Sequence, residues 1–296
     1  MPLSRFVDYL SLEKKYSVHT VEAYRNDLTS FQEFCLTELD HNDLLDMNYS
    51  LIRAWIVNMV EAGLSNRSIN RKLSALKAFY KYLLKTKQIT EDPLLKHKAL
   101  KVSQRLQVPF SQVEIDQVLT ELASADDFES IRNRLIVELL YSTGMRRAEL
   151  IALQLNDLDL SKETVKVLGK RNKERYLPLL KNVQETIAHY LEYRAGLEHR
   201  STDHLFLTNK GNKMYPTLVY RVINSYFSNV SSKIKKSPHV IRHSFATHLL
   251  NEGADLNSVK ELLGHSSLAS TQVYTNSSLS ELKKVYNRAH PRGSKN

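Results

Sequence analysis

The chain has 296 residues, of which 42% are hydrophobic, and carries a formal net charge of +10 at pH 7. This length allows two domains with separate cores, and the excess of Lys and Arg favours a polyanionic partner, although solubility alone is an alternative explanation. The single cysteine, Cys35, excludes an internal disulfide and a cysteine-based zinc site. No segment resembles a signal peptide or a membrane span, so we expect a cytoplasmic protein.

Residues 1–95 are predicted to form a helical domain, because apolar residues recur there at helical spacing between helix-capping residues. The predicted helices are 4–14, a second that begins after the N-cap Ser17, 50–61 before Gly63, and a fourth that runs from Ser65 to Lys85. Cys35 belongs to the apolar row of the second helix and is expected to be a core residue.

The fourth predicted helix is apolar on one face and basic on the rest. Apolar residues recur from Ile69 to Leu83, and no acidic residue lies among the basic ones. A solvated charged face is one interpretation, but a surface that contacts DNA phosphates explains the lack of acids better. The residues predicted to bind DNA are Arg67, Arg71, Lys72, Lys77 and Lys81.

Residues 96–109 are predicted to be a basic linker, because they follow Asp92-Pro93 and show no helical periodicity. From residue 110 to 296 the pattern is mixed. The predicted elements are helices at 111–122, 130–142, 181–195, 216–229, 240–251, 255–263 and 279–287, a β-hairpin of 164–168 with 174–179, and a third strand at 155–160. The predicted fold class is therefore mostly α with a small antiparallel β-sheet (α+β).

Residues suited to phosphate chemistry recur through this second half. Arginine, lysine and histidine can neutralise a phosphodiester, and tyrosine can attack its phosphorus. The residues are Arg146 in Thr143-Gly144-Met145-Arg146, Lys170 in Gly169-Lys170-Arg171-Asn172, His239 and Arg242 in Pro238-His239-Val240-Ile241-Arg242, His265 in Leu263-Gly264-His265, and Tyr274.

Each of these residue types has its own part in attack on a phosphodiester. Arg146 and Arg242 suit the two non-bridging oxygens, because a guanidinium group stays charged and donates in pairs. A tyrosine, with an ordinary pKa of about 10, needs activation, for which His239 is the candidate base. His265 is the candidate second donor to the phosphate. Lys170, at the tip of the predicted hairpin, is the candidate acid for the leaving 5′-oxygen.

Taken singly, each of these residues has a structural alternative, such as a surface ion pair, a hydrogen-bonded core histidine or a packed tyrosine. For the two histidines, the contexts Pro-His-x-x-Arg-His and Leu-Gly-His argue against the structural alternative. Glu149, three residues after Arg146, is expected to hold that arginine or to cap its helix and not to act as a catalyst. His243 and His248 are expected to be structural.

The order Arg, Lys, His-x-x-Arg, Leu-Gly-His, Tyr resembles the catalytic set of the tyrosine recombinases, the integrase family. The spacings are also similar: 24 residues (170 − 146), 26 residues (265 − 239) and 9 residues (274 − 265). Alignment with the family selects Lys170 in preference to Lys173. The closing His290-Pro291-Arg292 and the two-part layout resemble the Xer branch.

The resemblance implies a core-binding domain of the SAM-like kind at 1–95 and a catalytic domain at 110–296 that ends in an exchange helix. It implies that two DNA sites are cut and rejoined through a 3′-phosphotyrosine and a Holliday junction, with no metal and no cofactor. The implied partners are a double-stranded DNA recombination site, a homo- or hetero-tetramer with a related recombinase, and an FtsK-type DNA translocase, with no membrane.

Several functions share these motifs. Resolution of chromosome or plasmid dimers is expected ahead of the integration of a mobile element, which uses the same chemistry. Type IB topoisomerases share the chemistry without needing two paired sites. A sequence-specific DNA-binding protein without catalysis is the remaining alternative, although it has no need of the six catalytic residues.

The last predicted helix carries an apolar stripe of Leu282, Val285 and Tyr286 in a polar, basic segment. Because such a short helix offers little core of its own, the stripe is expected to dock on a neighbouring protomer, as the resemblance also implies. Packing against the chain's own catalytic domain is the alternative.

Overall fold

The computed structural model describes residues 2–102, 107–124, 126–169, 173–199, 202–264 and 276–293, and of 276–281 it describes the backbone only. The chain divides into two compact units, Met1–Arg105 and Leu106–Asn296, and each has its own hydrophobic core. Among the helices of these described ranges, none combines the length and the apolar character that crossing a membrane requires.

The first unit is helical throughout its regular structure. Its helices are α1 (Pro2–Asp8), α2 (Val18–Leu39), α3 (Tyr49–Glu61) and α4 (Asn66–Lys85). Two predicted caps are confirmed, since the side chain of Ser17 accepts a hydrogen bond from the backbone N–H of Thr20 and that of Ser65 accepts one from Ser68. The first helix is shorter than predicted, because the chain widens into a π-turn at Tyr9–Glu13.

Aromatic side chains fill the core of the first unit. Phe31 of α2 lies against Trp55 of α3 with ring centroids 4.8 Å apart, and Phe6 of α1 meets Phe79 of α4 edge-on at 5.4 Å. Cys35 is fully buried beside them, as predicted, and burial raises the pKa of its thiol to about 11. These contacts fix α4 with its apolar face inward and its basic positions outward.

The second unit combines helices with one small sheet. Its elements are α5 (Gln112–Ala123), α6 (Phe128–Thr143), α7 (Arg147–Ala152), β1 (Leu158–Asp159), β2 (Thr164–Leu168), β3 (Glu174–Pro178), α8 (Lys181–Ala195), α9 (Pro216–Val230), α10 (Pro238–Asn251), α11 (Leu256–Leu263) and α12 (Asn276–Ala289). The sheet is antiparallel in the order β1-β2-β3. The predicted fold class is confirmed.

The predicted hairpin is formed by β2 and β3, which pair from Thr164 opposite Pro178 to Leu168 opposite Glu174. The third strand is only partly as predicted, because Leu155–Asp157 is a 3₁₀ turn and the strand is confined to Leu158–Asp159. The reason is local: the Asp157 carboxylate accepts the backbone N–H of Gln154 at 2.9 Å, which stabilises the turn over an extended chain.

Helix α6 is the centre of the second unit. Apart from Arg134, every residue from Ile131 to Thr143 is buried, and the helix contacts α5, α8 and α10. A helix that is buried on all sides shows no apolar stripe, so the sequence gives no sign of the surfaces that it offers to its neighbours.

Helix α12 uses one of those surfaces. Leu282 and Tyr286 are buried in the core of the second unit, and the Tyr286 hydroxyl donates to the carbonyl oxygen of Ser142 at the end of α6, at 2.8 Å. The expectation that this stripe lacks a surface on its own chain is therefore wrong. The receiving surface comes from the end of α6, α10 and β3, whose packing the sequence pattern does not reveal.

Candidate active site

The site begins at a tight turn between α6 and α7. Gly144 ends α6 with a left-handed backbone (φ 61°), and a Cβ at this position would lie 2.3 Å from a ring carbon of Phe245 in α10. Only glycine meets both requirements. The turn places Arg146 as the residue that precedes the first turn of α7.

Glu149 fixes Arg146 in this position. Its carboxylate accepts the backbone N–H of Arg146 at 2.7 Å and the guanidinium Nη1 at 2.8 Å. The expected holding and capping role of Glu149 is thus the geometry observed. The Arg146 side chain is 42% exposed whereas that of Glu149 is 5% exposed, so the remaining guanidinium donors are accessible to a ligand.

Helix α10 brings a second arginine to the same turn. Arg242 donates from Nη1 to the carbonyl oxygen of Gly144 at 2.6 Å and from Nη2 to that of Leu263 at 2.7 Å. Burial, followed by the charge of Arg146, lowers the pKa of the Arg242 guanidinium to about 10, so it remains charged at neutral pH. Two arginines that are far apart in sequence are therefore anchored side by side.

His239 lies one helical turn before Arg242 on α10, at the second position of the helix after Pro238. The spacing of three residues puts the two side chains on one face. The His239 side chain is exposed, and among the described residues no hydrogen bond or ion pair holds its ring. It is available to a ligand that binds the arginine pair.

The end of α11 completes the described part of the site. Gly264 caps this helix with a left-handed backbone (φ 64°), and its carbonyl oxygen lies 3.5 Å from Nη2 of Arg146. The hairpin closes with a 2.7 Å bond from the backbone N–H of Gly169 to the carbonyl oxygen of Lys173. Lys170 directly follows Gly169, His265 directly follows Gly264, and Tyr274 lies nine residues further along the chain. These three predicted catalytic residues fall outside the described residues.

Sequence reasoning missed one residue of this region, Arg175. It was predicted only as part of a strand, yet its guanidinium donates to both oxygens of Glu149, at 3.0 and 2.8 Å. The alternation of β3 could have revealed this residue, because Arg175 shares the buried face of the strand with Leu177 and lies opposite Val167. A charged residue on the buried face of a strand requires a hydrogen-bonded or charged partner.

The two histidines that were predicted to be structural both have partners inside the second unit. The Nε2 atom of His243 lies 3.1 Å from the carbonyl oxygen of Gln107, and the Nδ1 atom of His248 lies 2.8 Å from the hydroxyl oxygen of Tyr141. Each ring therefore has a protein partner for one of its nitrogens, as a structural histidine requires.

The arrangement is suited to binding an anion. Arg146, Arg175 and Arg242 bring three positive charges against the single negative charge of Glu149, and Arg146 and Arg242 keep donors free of that pairing. A tetrahedral phosphate whose two non-bridging oxygens share the negative charge fits such a pair of fork-shaped donors. Within the described residues no cluster of His, Cys, Asp or Glu could hold a metal ion.

The predicted DNA-binding residues of α4 divide into two groups. Arg67, Lys77 and Lys81 are exposed, and no ion pair among the described residues involves them. Arg71 and Lys72 instead pair with Asp27 of α2, which is 3% exposed. The acid that was missing from α4 is thus supplied by another helix, and for these two residues a structural role competes with the predicted contact to DNA.

The basic helix of the first unit and the paired-arginine site of the second suit a protein that binds DNA phosphates, and comparison with known proteins gives the family. The profile of the Phage integrase family matches residues 109–281, and that of the phage integrase N-terminal SAM-like domain matches residues 3–87. The chain belongs to the phage integrase family and is a tyrosine-type site-specific DNA recombinase of the Xer-like kind.

Curated relatives match over nearly their whole length. The chain is 38% identical to tyrosine recombinase XerC of Anoxybacillus flavithermus, with 98% of this chain and 97% of the relative covered. It is 37% identical to tyrosine recombinase XerC of Bacillus subtilis, with 98% and 96% covered.

Two solved structures share the fold. The XerH site-specific recombinase bound to palindromic difH substrate superposes with a TM-score of 0.71 at 22% identity, covering 98% of this chain and 81% of that one. The Tn1549 transposon integrase in complex with circular intermediate DNA gives 0.72 at 21% identity, covering 95% and 98%.

Proposed function

We propose that the protein resolves chromosome or plasmid dimers by cutting and rejoining two double-stranded DNA sites through a 3′-phosphotyrosine and a Holliday junction. The observation that carries the proposal is the anchoring of Arg146 and Arg242 at one turn, with His239 on the same helix face as Arg242. Full-length similarity to XerC relatives favours this role over integration of a mobile element. The proposed substrate would place the protein in the cytoplasm.

We assign each residue one step of the chemistry. The Tyr274 oxygen attacks the scissile phosphorus while His239 takes its proton, and the bond from phosphorus to the 5′-oxygen breaks. Lys170 gives a proton to that leaving oxygen. Arg146, Arg242 and His265 stabilise the charge on the non-bridging oxygens. In the second step the 5′-hydroxyl of the partner strand gives its proton back to Lys170 and attacks the phosphotyrosine. The bond from phosphorus to the Tyr274 oxygen breaks, and His239 returns the proton to that oxygen. One phosphoester bond is exchanged for another in each step, and we propose that no metal or cofactor takes part.

Strand exchange of this kind requires two DNA sites held together, for which we propose a tetramer, either of this chain alone or with a related recombinase. An FtsK-type DNA translocase is the proposed activating partner. We propose that α12 connects the subunits. It would leave the surface of α6 and α10 in its own chain and dock on the same surface of a neighbouring subunit, because an identical site is available there.

Covalent trapping on chromosomal DNA tests this function. The protein is mixed with sheared DNA from its source, denatured and recovered, and the attached DNA is sequenced. We expect one shared sequence with two inverted half-sites, and a plasmid carrying two copies of it should be resolved into two circles. Adducts without a shared sequence would indicate a topoisomerase, and the absence of any adduct would indicate a DNA-binding protein without catalysis.

The exposed basic residues of α4 should contribute to DNA affinity through their charge. Replacing Arg67, Lys77 and Lys81 together with Gln should weaken binding and flatten the plot of log affinity against log salt by up to about 0.9 per lost phosphate contact. The matched control replaces three exposed arginines on other helices of the same unit, Arg5, Arg25 and Arg53.

Filter binding or fluorescence anisotropy between about 50 and 200 mM salt, over which phosphate contacts lower the affinity steeply, measures both slopes. If the α4 variant keeps the affinity and the slope of the wild type, this helix face does not contact DNA. If the control variant changes as much as the α4 variant, the effect comes from the overall charge of the unit and not from the face of α4.

A further inference from the structure

Arg175 is a charged residue in a place that normally holds an apolar one. It is the second residue of β3, it faces the core beside Leu177, and it is 5% exposed. Burying a guanidinium group is costly unless its donors are satisfied, so its partners indicate why it is there.

Those partners belong to two separate segments of the proposed active site. The two terminal nitrogens of Arg175 donate to both oxygens of Glu149, and Nε donates to the carbonyl oxygen of Leu262 at 3.1 Å. The guanidinium also covers Gly264, where a Cβ would lie 3.2 Å from Nη1. Arg175 therefore links the hairpin strand to α7 and to the end of α11.

The ion pair between Arg175 and Glu149 determines how strongly the Glu149 carboxylate attracts the Arg146 guanidinium. Burial alone would raise the pKa of Glu149, but the hydrogen bonds and charge of Arg175, together with the hydrogen bonds from Arg146, lower it. Without Arg175, Arg146 would be the only ion-pair partner of the buried carboxylate among the described residues. Its charge would then draw the Arg146 guanidinium inward, away from a bound phosphate.

The link to Leu262 acts on the other side of the site. Leu262 and Leu263 are the last two residues of α11, and Arg175 holds the carbonyl oxygen of the first while Arg242 holds that of the second. Two arginines thus fix consecutive carbonyl groups immediately before Gly264, the residue that precedes His265.

We propose that Arg175 is a positioning residue for strand cleavage, which keeps Arg146 free for the scissile phosphate by sharing Glu149 and fixes the end of α11 that leads to His265. The inference rests on the proposed function, because it concerns how the same phosphate is bound. Arg175 itself does not touch the substrate.

The test compares Arg175→Met with the wild type in single-turnover cleavage of two substrates. One carries an ordinary scissile phosphate, and the other carries a methyl group in place of one non-bridging oxygen. Removing that oxygen removes much of the charge that Arg146 stabilises. We expect cleavage of ordinary DNA to fall at least about 10-fold, less than the roughly 10²-fold or greater loss for a direct donor, and to fall much less with the methylated phosphate. DNA affinity should stay within about twofold of wild type, since most phosphate contacts remain.

Arg194→Met is the matched control. Arg194 is 6% exposed in the same unit, and its guanidinium donates to the backbone carbonyl oxygens of Leu205, Thr202 and His204. It should lower the melting temperature without changing the ratio of the two cleavage rates. Arg175→Lys keeps a positive charge for Glu149 but loses the paired donors of the guanidinium. Its cleavage rate should lie between those of Arg175→Met and the wild type.

Equal losses on the two substrates would overturn the proposal, as would a rate ratio like that of Arg194→Met. So would failure of both Arg175 variants to fold while Arg194→Met folds, because Arg175 would then serve folding alone. A wild-type protein that cleaves neither substrate would contradict the proposed function instead, so the two failures are distinguishable.

Discussion

Replacing Tyr274 with Phe should abolish covalent attachment to DNA while leaving affinity within about twofold of wild type, because phenylalanine keeps the ring and loses only the attacking oxygen. The expected loss of cleavage is about 10⁴-fold or more, the range seen when other covalent nucleophiles are removed. A denaturing gel with labelled, nicked site DNA measures the adduct, and a gel shift measures the affinity.

A second tyrosine provides the control for that substitution. Tyr220 is 44% exposed on α9, so Tyr220→Phe removes an accessible hydroxyl outside the motifs. It should form the adduct at the wild-type yield. If Tyr274→Phe forms the adduct at that yield as well, Tyr274 is not the nucleophile.

The second large effect concerns the leaving group. Lys170→Ala should slow cleavage of ordinary DNA by about 10²- to 10⁴-fold, the usual worth of a general acid. A substrate with sulfur in place of the 5′-bridging oxygen should be cut by this variant at nearly the wild-type rate, because a thiolate leaves without a proton. Rapid-quench measurements of single-turnover cleavage compare the two substrates.

Lys173→Ala is the control, since Lys173 is an exposed lysine of the same hairpin whose carbonyl oxygen, and not its side chain, closes the turn. It should cut both substrates like the wild type. Should Lys170→Ala cut the sulfur substrate no faster than ordinary DNA, another residue supplies the proton.

Local signals in the sequence were sufficient for most elements of the fold. Ser17 and Ser65 predicted where helices begin, and both act as caps in the structure. The alternation on either side of Gly169-Lys170 predicted the hairpin, which the register of β2 and β3 confirms. These features depend on residues within a few positions of one another.

Features that depend on distant partners were missed. Asp27 and Arg71 lie on different helices, and their pairing changed the interpretation of a helix that holds no acid of its own. Tyr286 packs on α6, a helix that is buried on nearly all sides, and such a helix has no apolar periodicity from which this contact could be predicted. The sequence pattern describes the face that a helix must bury but not which neighbour buries it.

The candidate site shows the same division. The motif order predicted Arg146 and Arg242, and the structure brings both to the carbonyl groups around Gly144 and Gly264. The motif order did not predict Arg175, because nothing in the motif indicates that Glu149 accepts hydrogen bonds from two arginines. The catalytic roles of all six residues stay predictions, and three of the six, Lys170, His265 and Tyr274, lie outside the described ranges.

The proposed chemistry is that the protein cuts DNA through a 3′-phosphotyrosine. The most direct test is to identify the residue to which DNA is attached in the trapped wild-type protein. Trypsin cuts after Lys260 and Lys283, which releases residues 261–283 as a peptide in which Tyr274 is the only tyrosine. After nuclease digestion, mass spectrometry should find this peptide carrying a nucleotide through its 3′-phosphate. A nucleotide on any other peptide, or one joined through a 5′-phosphate, would contradict the proposed chemistry.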